Sequence, residues 1–137
     1  MDKALNYLSL ARKAGYAELG EEPVGAITRT GKGYLVVVAG DASDHTWRRA
    51  KSFVAGTEQQ CIRLSCSKEE LGFVVGRTAL AIAAITDPAM ALALVNSLGQ
   101  PEKHAAVIAV LTEKAQKMKK RQAEAKAHKR NVRKGKK

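Results

Sequence analysis

The chain has 137 residues, 45% of them hydrophobic and 27% charged, with a formal net charge of +11 and two cysteines. That length suits one domain plus an appendage, and with no apolar run of about 18 residues a membrane-spanning helix is excluded. Cys61 and Cys66 lack C-x-x-C spacing, and no Cys/His pair stands at zinc-finger spacing, so two buried thiols are expected rather than a metal centre.

The pattern along the chain alternates helix and strand. Asp2 can cap a first helix with Leu5 and Leu8 on one face, stopped by Gly15. Glu21, Glu22 and Pro23 form the first turn of a second, where acids meet the positive end of the dipole. Val24 and Ile27 give its apolar face and Gly31 ends it. Tyr34 to Ala39, between Gly33 and Gly40, reads as a strand covered on both faces. A third helix starts at Ser43, with Trp47, Ala50 and Val54 inward and Arg48, Arg49 and Lys51 outward. Cys61 to Leu64 is a short strand. Ser67-Lys68-Glu69-Glu70 is a capping box, opening a helix with Leu71, Val74 and Val75 that runs to Gly76. Leu80 to Ile85 is the next buried strand. Asp87-Pro88 opens another helix, closed by Gly99 and Pro101. A last segment begins with Val107, Ile108, Val110 and Leu111, becomes rich in Ala and Lys, and is expected to fray near Asn131. This β-α repetition predicts an α/β fold, a three-layer α/β/α sandwich with a small mixed sheet.

Charge is divided sharply. Residues 112–137 carry twelve Lys/Arg against Glu113 and Glu124, a net of +10, leaving +1 for residues 1–111. The expected organisation is therefore a near-neutral domain over 1–111 and a basic helical tail over 112–137. A cationic segment of this kind suits a polyanion, because each neutralised phosphate releases condensed counterions. Lys119, Lys120 and Arg121 are its central candidates.

Catalytic motifs are not found. Gly31-Lys32-Gly33 follows a helix and precedes a strand, the reverse of a P-loop. Gly40-Asp41-Ala42-Ser43 lies between strand and helix but lacks the dinucleotide and P-loop signatures. Asp41, Asp44 and His45 are read as acids and a neighbour at a helix start, not as metal ligands. No Ser or Cys has a base and an orienter, and His104 and His128 lie far apart, so no enzymatic activity, cofactor or metal is expected. The six aromatic residues do not cluster on one strand, so an RNA contact would use loops and helix ends. Met1-Asp2-Lys3-Ala4-Leu5 shows no basic stretch followed by an apolar one, which leads to the expectation of a cytoplasmic protein.

Five segments occur in an order that resembles the ribosomal-protein family that binds kink-turn RNA (the L-seven-Ae and L-thirty-e type), in its small bacterial, ribosome-associated branch. They are Leu8-Ser9-Leu10-Ala11-Arg12-Lys13-Ala14-Gly15, Gly20-Glu21-Glu22 with Gly31-Lys32, Leu35 to Ala39 with Asp41-Ala42-Ser43, Ser67 to Gly72 with Gly76-Arg77, and Ala84-Ile85-Thr86-Asp87. The resemblance covers roughly residues 3–98 and implies the α/β/α sandwich reached above. It also implies an RNA face made of the start of the second helix and the loop before the last core strand. Kink-turn binders carry G-x-N-E-x-x-K-x-x-x-R-G at the former. Here the outer glycines are Gly20 and Gly31, but Glu22, Pro23, Ala26 and Thr30 replace the Asn, Glu, Lys and Arg. The RNA-binding set implied is Gly20, Glu21, Glu22, Arg29, Gly31, Lys32, Gly76, Arg77 and Thr78, joined by Lys119, Lys120 and Arg121. RNA, ribosomal or otherwise structured, is the expected partner. The alternatives are a protein-interaction module docking through the Trp47 helix or the Val107–Leu111 segment, and a general nucleic-acid binder using the tail alone.

Overall fold

The structure, a computed structural model, describes residues 3–135, and side chains as far as residue 127. Asp2, the expected first cap, lies outside the described residues, as does the side chain of His128. Local signals account for most element boundaries. α1 (Lys3–Lys13) buries Leu5, Leu8 and Ala11. A three-residue strand, β1 (Ala17–Leu19), follows and leads into α2 (Glu21–Arg29). The apolar run forms β2 (Leu35–Val38), and Ser43 caps α3 (Asp44–Val54) by accepting a hydrogen bond from the Thr46 amide at 3.2 Å. β3 is Gln60–Arg63, one residue earlier than the apolar pattern suggests. In α4 (Lys68–Phe73) both halves of the capping box form: the Glu70 amide donates to Ser67 Oγ at 3.1 Å and the Ser67 amide to Glu70 Oε1 at 3.0 Å. β4 (Ile82–Ile85) precedes α5 (Pro88–Ser97), where Asp87 accepts from the Met90 amide at 2.9 Å and Pro88 takes the position that has no needed N–H. α6 is Ala105–Gly135.

Three helices stop in the same way. Past α1, α2 and α4 the chain turns at Gly15, Gly31 and Gly76, with φ of 83°, 78° and 76°. The amides of Tyr16, Lys32 and Arg77 then reach back to the carbonyls of Ala11, Ile27 and Gly72. This is the Schellman pairing, and it satisfies carbonyls that the helix end would leave bare. It also fixes where Lys32 and Arg77 emerge.

The strands form one mixed four-stranded sheet in the order β1-β4-β2-β3. β1 and β2 flank β4 antiparallel, and β3 runs parallel to β2. Every residue of β2 and β4 is buried, as central strands covered on both faces must be. α2 lies on β1 and β4 and α3 on β2 and β3, while α1 and α5 cover β1 and β4 from the other side, with α6 packed on α5. This is the α/β/α sandwich that the sequence implies.

Register defines two ends of the sheet. Ala17, Ile85, Leu35 and Gln60 form one terminal row, here the Leu35 end. At the other, the Val38 end, Val38 stands between Ile82 and Arg63, and the Gly20 amide donates to the Ile82 carbonyl at 3.0 Å. α2 therefore starts at the Val38 end and finishes at the Leu35 end. α5 starts at the Leu35 end, just after Ile85, and α6 returns along it.

α6 crosses residue 111 without a break, so the expected division at 111/112 falls inside a helix. Leu111 is 1% exposed, a burial worth about 1.5–3 kcal/mol, and Thr112, Ala115 and Met118 still face Pro88 and Leu92 of α5. From Lys119 to Ala127 every side chain is exposed. The backbone stays helical past Asn131, where fraying was expected, to Gly135.

Candidate nucleic-acid interface

The Val38 end carries the start of α2. Gly20 adopts φ of 96°, and no side chain caps this helix end. Pro23 has no N–H, so the amides of Glu21 and Glu22 are the donors left at its first turn. A Cβ placed on Gly20 would stand 3.9 Å from Arg77 Nη1. The start of the second helix and the loop before the last core strand thus meet, across 57 residues of sequence. That loop is held in place by α4. The Arg77 amide bonds to the Gly72 carbonyl at 2.9 Å and the Leu80 amide to the Lys68 carbonyl at 2.9 Å. Gly72 lies so close beneath Ala79 that an added Cβ would come within 2.8 Å of its Cα. Gly76, Arg77 and Thr78 are all exposed at the tip.

Acidic residues at this end are partly answered. Arg49 Nε on α3 donates to Glu21 Oε1 at 2.5 Å. Arg49 was read from sequence only as part of an outward, solvated face, and its alternation with Arg48 and Lys51 gives no sign of this contact. It adds a guanidinium to the edge of the surface bearing Gly20, Glu22, Arg77 and Thr78.

The remaining body candidates lie elsewhere. Arg29, Gly31 and Lys32 are at the far end of α2, which at about 1.5 Å per residue stands roughly 13 Å from Gly20. Arg29 and Gly31 line a groove of about 380 Å³ with Tyr34, Thr57, Glu58 and Lys114. Lys114 Nζ is ion-paired with Glu58 Oε2, fastening α6 to the loop before β3. Its ammonium, hydrogen-bonded to the Glu58 carboxylate, holds that group's pKa below its ordinary value. One turn on, Lys117 pairs with Glu113 at 2.9 Å, which raises the pKa of the lysine. Lys119, Lys120 and Arg121 continue from there. The twelve candidates therefore separate into a set at the Val38 end and a set at the Leu35 end.

The other motifs take structural roles. Asp41 Oδ1 accepts from the Lys68 amide at 2.8 Å and so serves the start of α4. Among the described residues no three His, Cys, Asp or Glu side chains converge on a point that could hold a metal. Cys61 and Cys66 are not joined in a disulfide; Cys66 is buried as expected while Cys61 is half-buried, and desolvation pushes the Cys61 pKa up to about 12. His104 is buried near Lys103, and desolvation first, then that charge, lowers its pKa. The surfaces named for protein docking are partly covered within the chain. The Trp47 ring lies under Arg63 and Lys51, at 5.6 and 5.5 Å, and Val107 and Ile108 pack against the core. Among the described residues no helix is long and apolar enough to cross a membrane.

No family model matches the sequence. The RNA-binding protein YlxQ of Enterococcus faecium is 36% identical over 75 residues, spanning 55% of this chain and 72% of that protein. A solved structure of a protein of unknown function from Bacillus halodurans superposes with a TM-score of 0.66 at 22% identity, covering 72% of this chain and 99% of that one. The Giardia lamblia 15.5kD RNA-binding protein superposes with a TM-score of 0.54 at 20% identity, covering 72% and 84%. At these identities the two structures speak for the fold, while the sequence match speaks for kinship.

Proposed function

The chain belongs to the family of the RNA-binding protein YlxQ, and from that premise we propose that it is a non-catalytic RNA-binding protein acting on ribosomal or other structured RNA in the cytoplasm. The observation that carries this reading is the meeting of Gly20, at the uncapped start of α2, with Arg77 on the α4–β4 loop. A helix N-terminus with free amides favours a phosphate, and Gly20 and Gly76 permit close backbone approach. Arg77 supplies a planar donor fork suited to phosphate or a guanine edge. The body then recognises the shape of a folded RNA, and the α6 cations add sequence-independent attraction.

Kink-turn recognition is part of the same proposal, through other contacts than the missing Asn, Glu, Lys and Arg. Binding to a kink-turn RNA and a mutated control, across a salt series, tests it with the full chain and a form ending at Met118. That end point keeps Leu111, Thr112, Ala115 and Met118, through which α6 packs on the body. Selective binding retained by the shorter form is expected. Equal binding of both RNAs, lost on truncation, would instead make this a tail-driven general binder.

A further inference from the structure

The two cationic sets sit at opposite ends of the sheet, and the helix that bears the tail runs away from the Gly20–Arg77 surface. α6 turns back at the Val38 end, passes Pro88 and Leu92 of α5, and leaves the body at the Leu35 end near Gln122. From there to Gly135 it extends about 20 Å further at 1.5 Å per residue. The Lys114–Glu58 ion pair and the burial of Leu111 set this direction. A rigid RNA element seated on Gly20 and Arg77 therefore lies on the far side of the body from Lys119, Lys120, Arg121 and Lys126.

The Leu35 end is also a coherent cationic surface in its own right. Arg29 and Lys32 leave α2 beside the point where Lys114 docks α6. Lys114 and Lys117 spend their charge on Glu58 and Glu113, whereas among the described residues Arg29, Lys32, Lys119, Lys120 and Arg121 have no carboxylate within ion-pair distance. Unpaired exposed cations along a helix suit the closely spaced charges of a nucleic-acid backbone, where each contact releases counterions. The sequence of α6 holds no Phe, Trp or Tyr, which there favours backbone grip over base reading.

We propose that the protein bridges two RNA segments: a structured element at the Val38 end and the phosphate backbone of a second segment held by α6, Arg29 and Lys32 at the Leu35 end. This rests on the RNA-binding reading above and adds that the two contacts are simultaneous and independent. The second segment belongs either to the same folded RNA or to another molecule.

The test uses the full chain with two probes, a donor-labelled kink-turn hairpin and an acceptor-labelled 20-base-pair RNA duplex, read by energy transfer and by the mass of the complex. A complex of one protein with both RNAs is expected. Arg77→Glu should release the hairpin and leave the duplex bound. The triple change Lys119→Glu, Lys120→Glu and Arg121→Glu should release the duplex and leave the hairpin. It should also lower the slope of log affinity for the duplex against log salt by about 2.7, at roughly 0.9 per lost phosphate contact. All four positions are exposed, and unchanged thermal unfolding confirms the fold. Covalently joining the probes through a single strand long enough to span the body should tighten binding, because the second contact becomes intramolecular, and unchanged binding would count against simultaneous contacts. Mutual displacement of the two probes, or loss of both with the same variant, overturns the bridge while RNA binding stands. Failure of the unmodified protein to bind either RNA at low salt overturns the RNA-binding reading itself.

Discussion

Arg49 Nε on α3 meets Glu21 Oε1 at the first position of α2 at 2.5 Å, tying two helices of one layer and neutralising an acid beside Gly20. The same guanidinium lies 5.1 Å from the centre of the Phe53 ring, which limits where it can swing. Both side chains are well exposed, at 50% and 40%, so the pair contributes only about 0.2–1 kcal/mol to stability. Its effect falls on charge at the candidate interface.

Removing Arg49 should therefore weaken RNA binding more than it weakens the fold. Arg49→Ala leaves the Glu21 carboxylate unanswered next to the α2 amides, and phosphate then meets a like charge. We expect a several-fold loss of RNA affinity with a stability change below about 1 kcal/mol. Adding Glu21→Gln should restore most of the affinity. The pairwise term from a double-mutant cycle on binding measures this, and strictly additive losses would show that Glu21 plays no part.

Gly72 governs the loop that presents Arg77. It lies inside α4 with an ordinary helical backbone, so alanine would by propensity favour the helix. Packing decides otherwise, because the new Cβ would lie 2.8–2.9 Å from the backbone of Ala79. Backbone cannot move aside as a flexible side chain can, and overpacking of this kind costs about 1–3 kcal/mol. Gly31→Ala is the contrasting change: nothing stands within 4 Å, and only its φ of 78° resists, which costs roughly 1 kcal/mol. Urea midpoints should thus fall more for Gly72→Ala, with RNA affinity falling alongside as the Arg77 loop shifts.

The elements that could be read in the sequence are those whose signals are local. Ser43, Ser67 and Asp87 cap helices with hydrogen bonds that span only three residues. Gly15, Gly31 and Gly76 stop helices because the turn itself needs a positive φ. β1 could not be read that way. Ala17, Glu18 and Leu19 are too few for an alternation, and only their pairing with Ala83 to Ile85 makes them a strand. The candidate residues divide between two ends for the related reason that neighbours in sequence are not neighbours across a sheet. Arg29 and Lys32 follow Gly20 closely along the chain, yet α2 carries them to the other end. Arg77, far away in sequence, is brought back by the α4 turn. The tail's charge was plain from composition, but its direction depends on Leu111 and on Lys114 meeting Glu58.

Stability should fall at high pH through Cys61. Burial first, opposed weakly by Lys51, raises its pKa to about 12, against about 8.5 for an unperturbed thiol. The native state thus keeps its proton where the unfolded chain loses it. The contribution is complete below about pH 8.5 and is lost as pH rises from there toward 12. Between pH 7 and pH 10.5 the wild-type melting temperature should drop further than that of Cys61→Ala. The same protonation makes the thiol slow to alkylate at pH 8 unless urea opens the fold. Equal pH slopes for the two proteins would mean that Cys61 ionises freely.

Two side chains from different segments start α4, and they should behave as one cap. Asp41, from the β2–α3 loop, accepts from the Lys68 amide at 2.8 Å, while Ser67 accepts from the Glu70 amide at 3.1 Å. Each satisfies one of the donors that a helix start leaves open, and the Asp41 charge also sits at the positive end of the dipole. Asp41→Ala and Ser67→Ala should each cost about 1 kcal/mol, within the 0.5–2 kcal/mol span of cap removals. Because α4 is only a turn and a half long, the first change should fray the amides that the second would expose. The double variant should therefore lose less than the sum of the two, by at least about 0.5 kcal/mol. Denaturant unfolding of the four proteins measures the coupling. A chelator added to each separates this from a metal at Asp41: a melting temperature lowered by chelation in the wild type alone would replace the cap with a cation site.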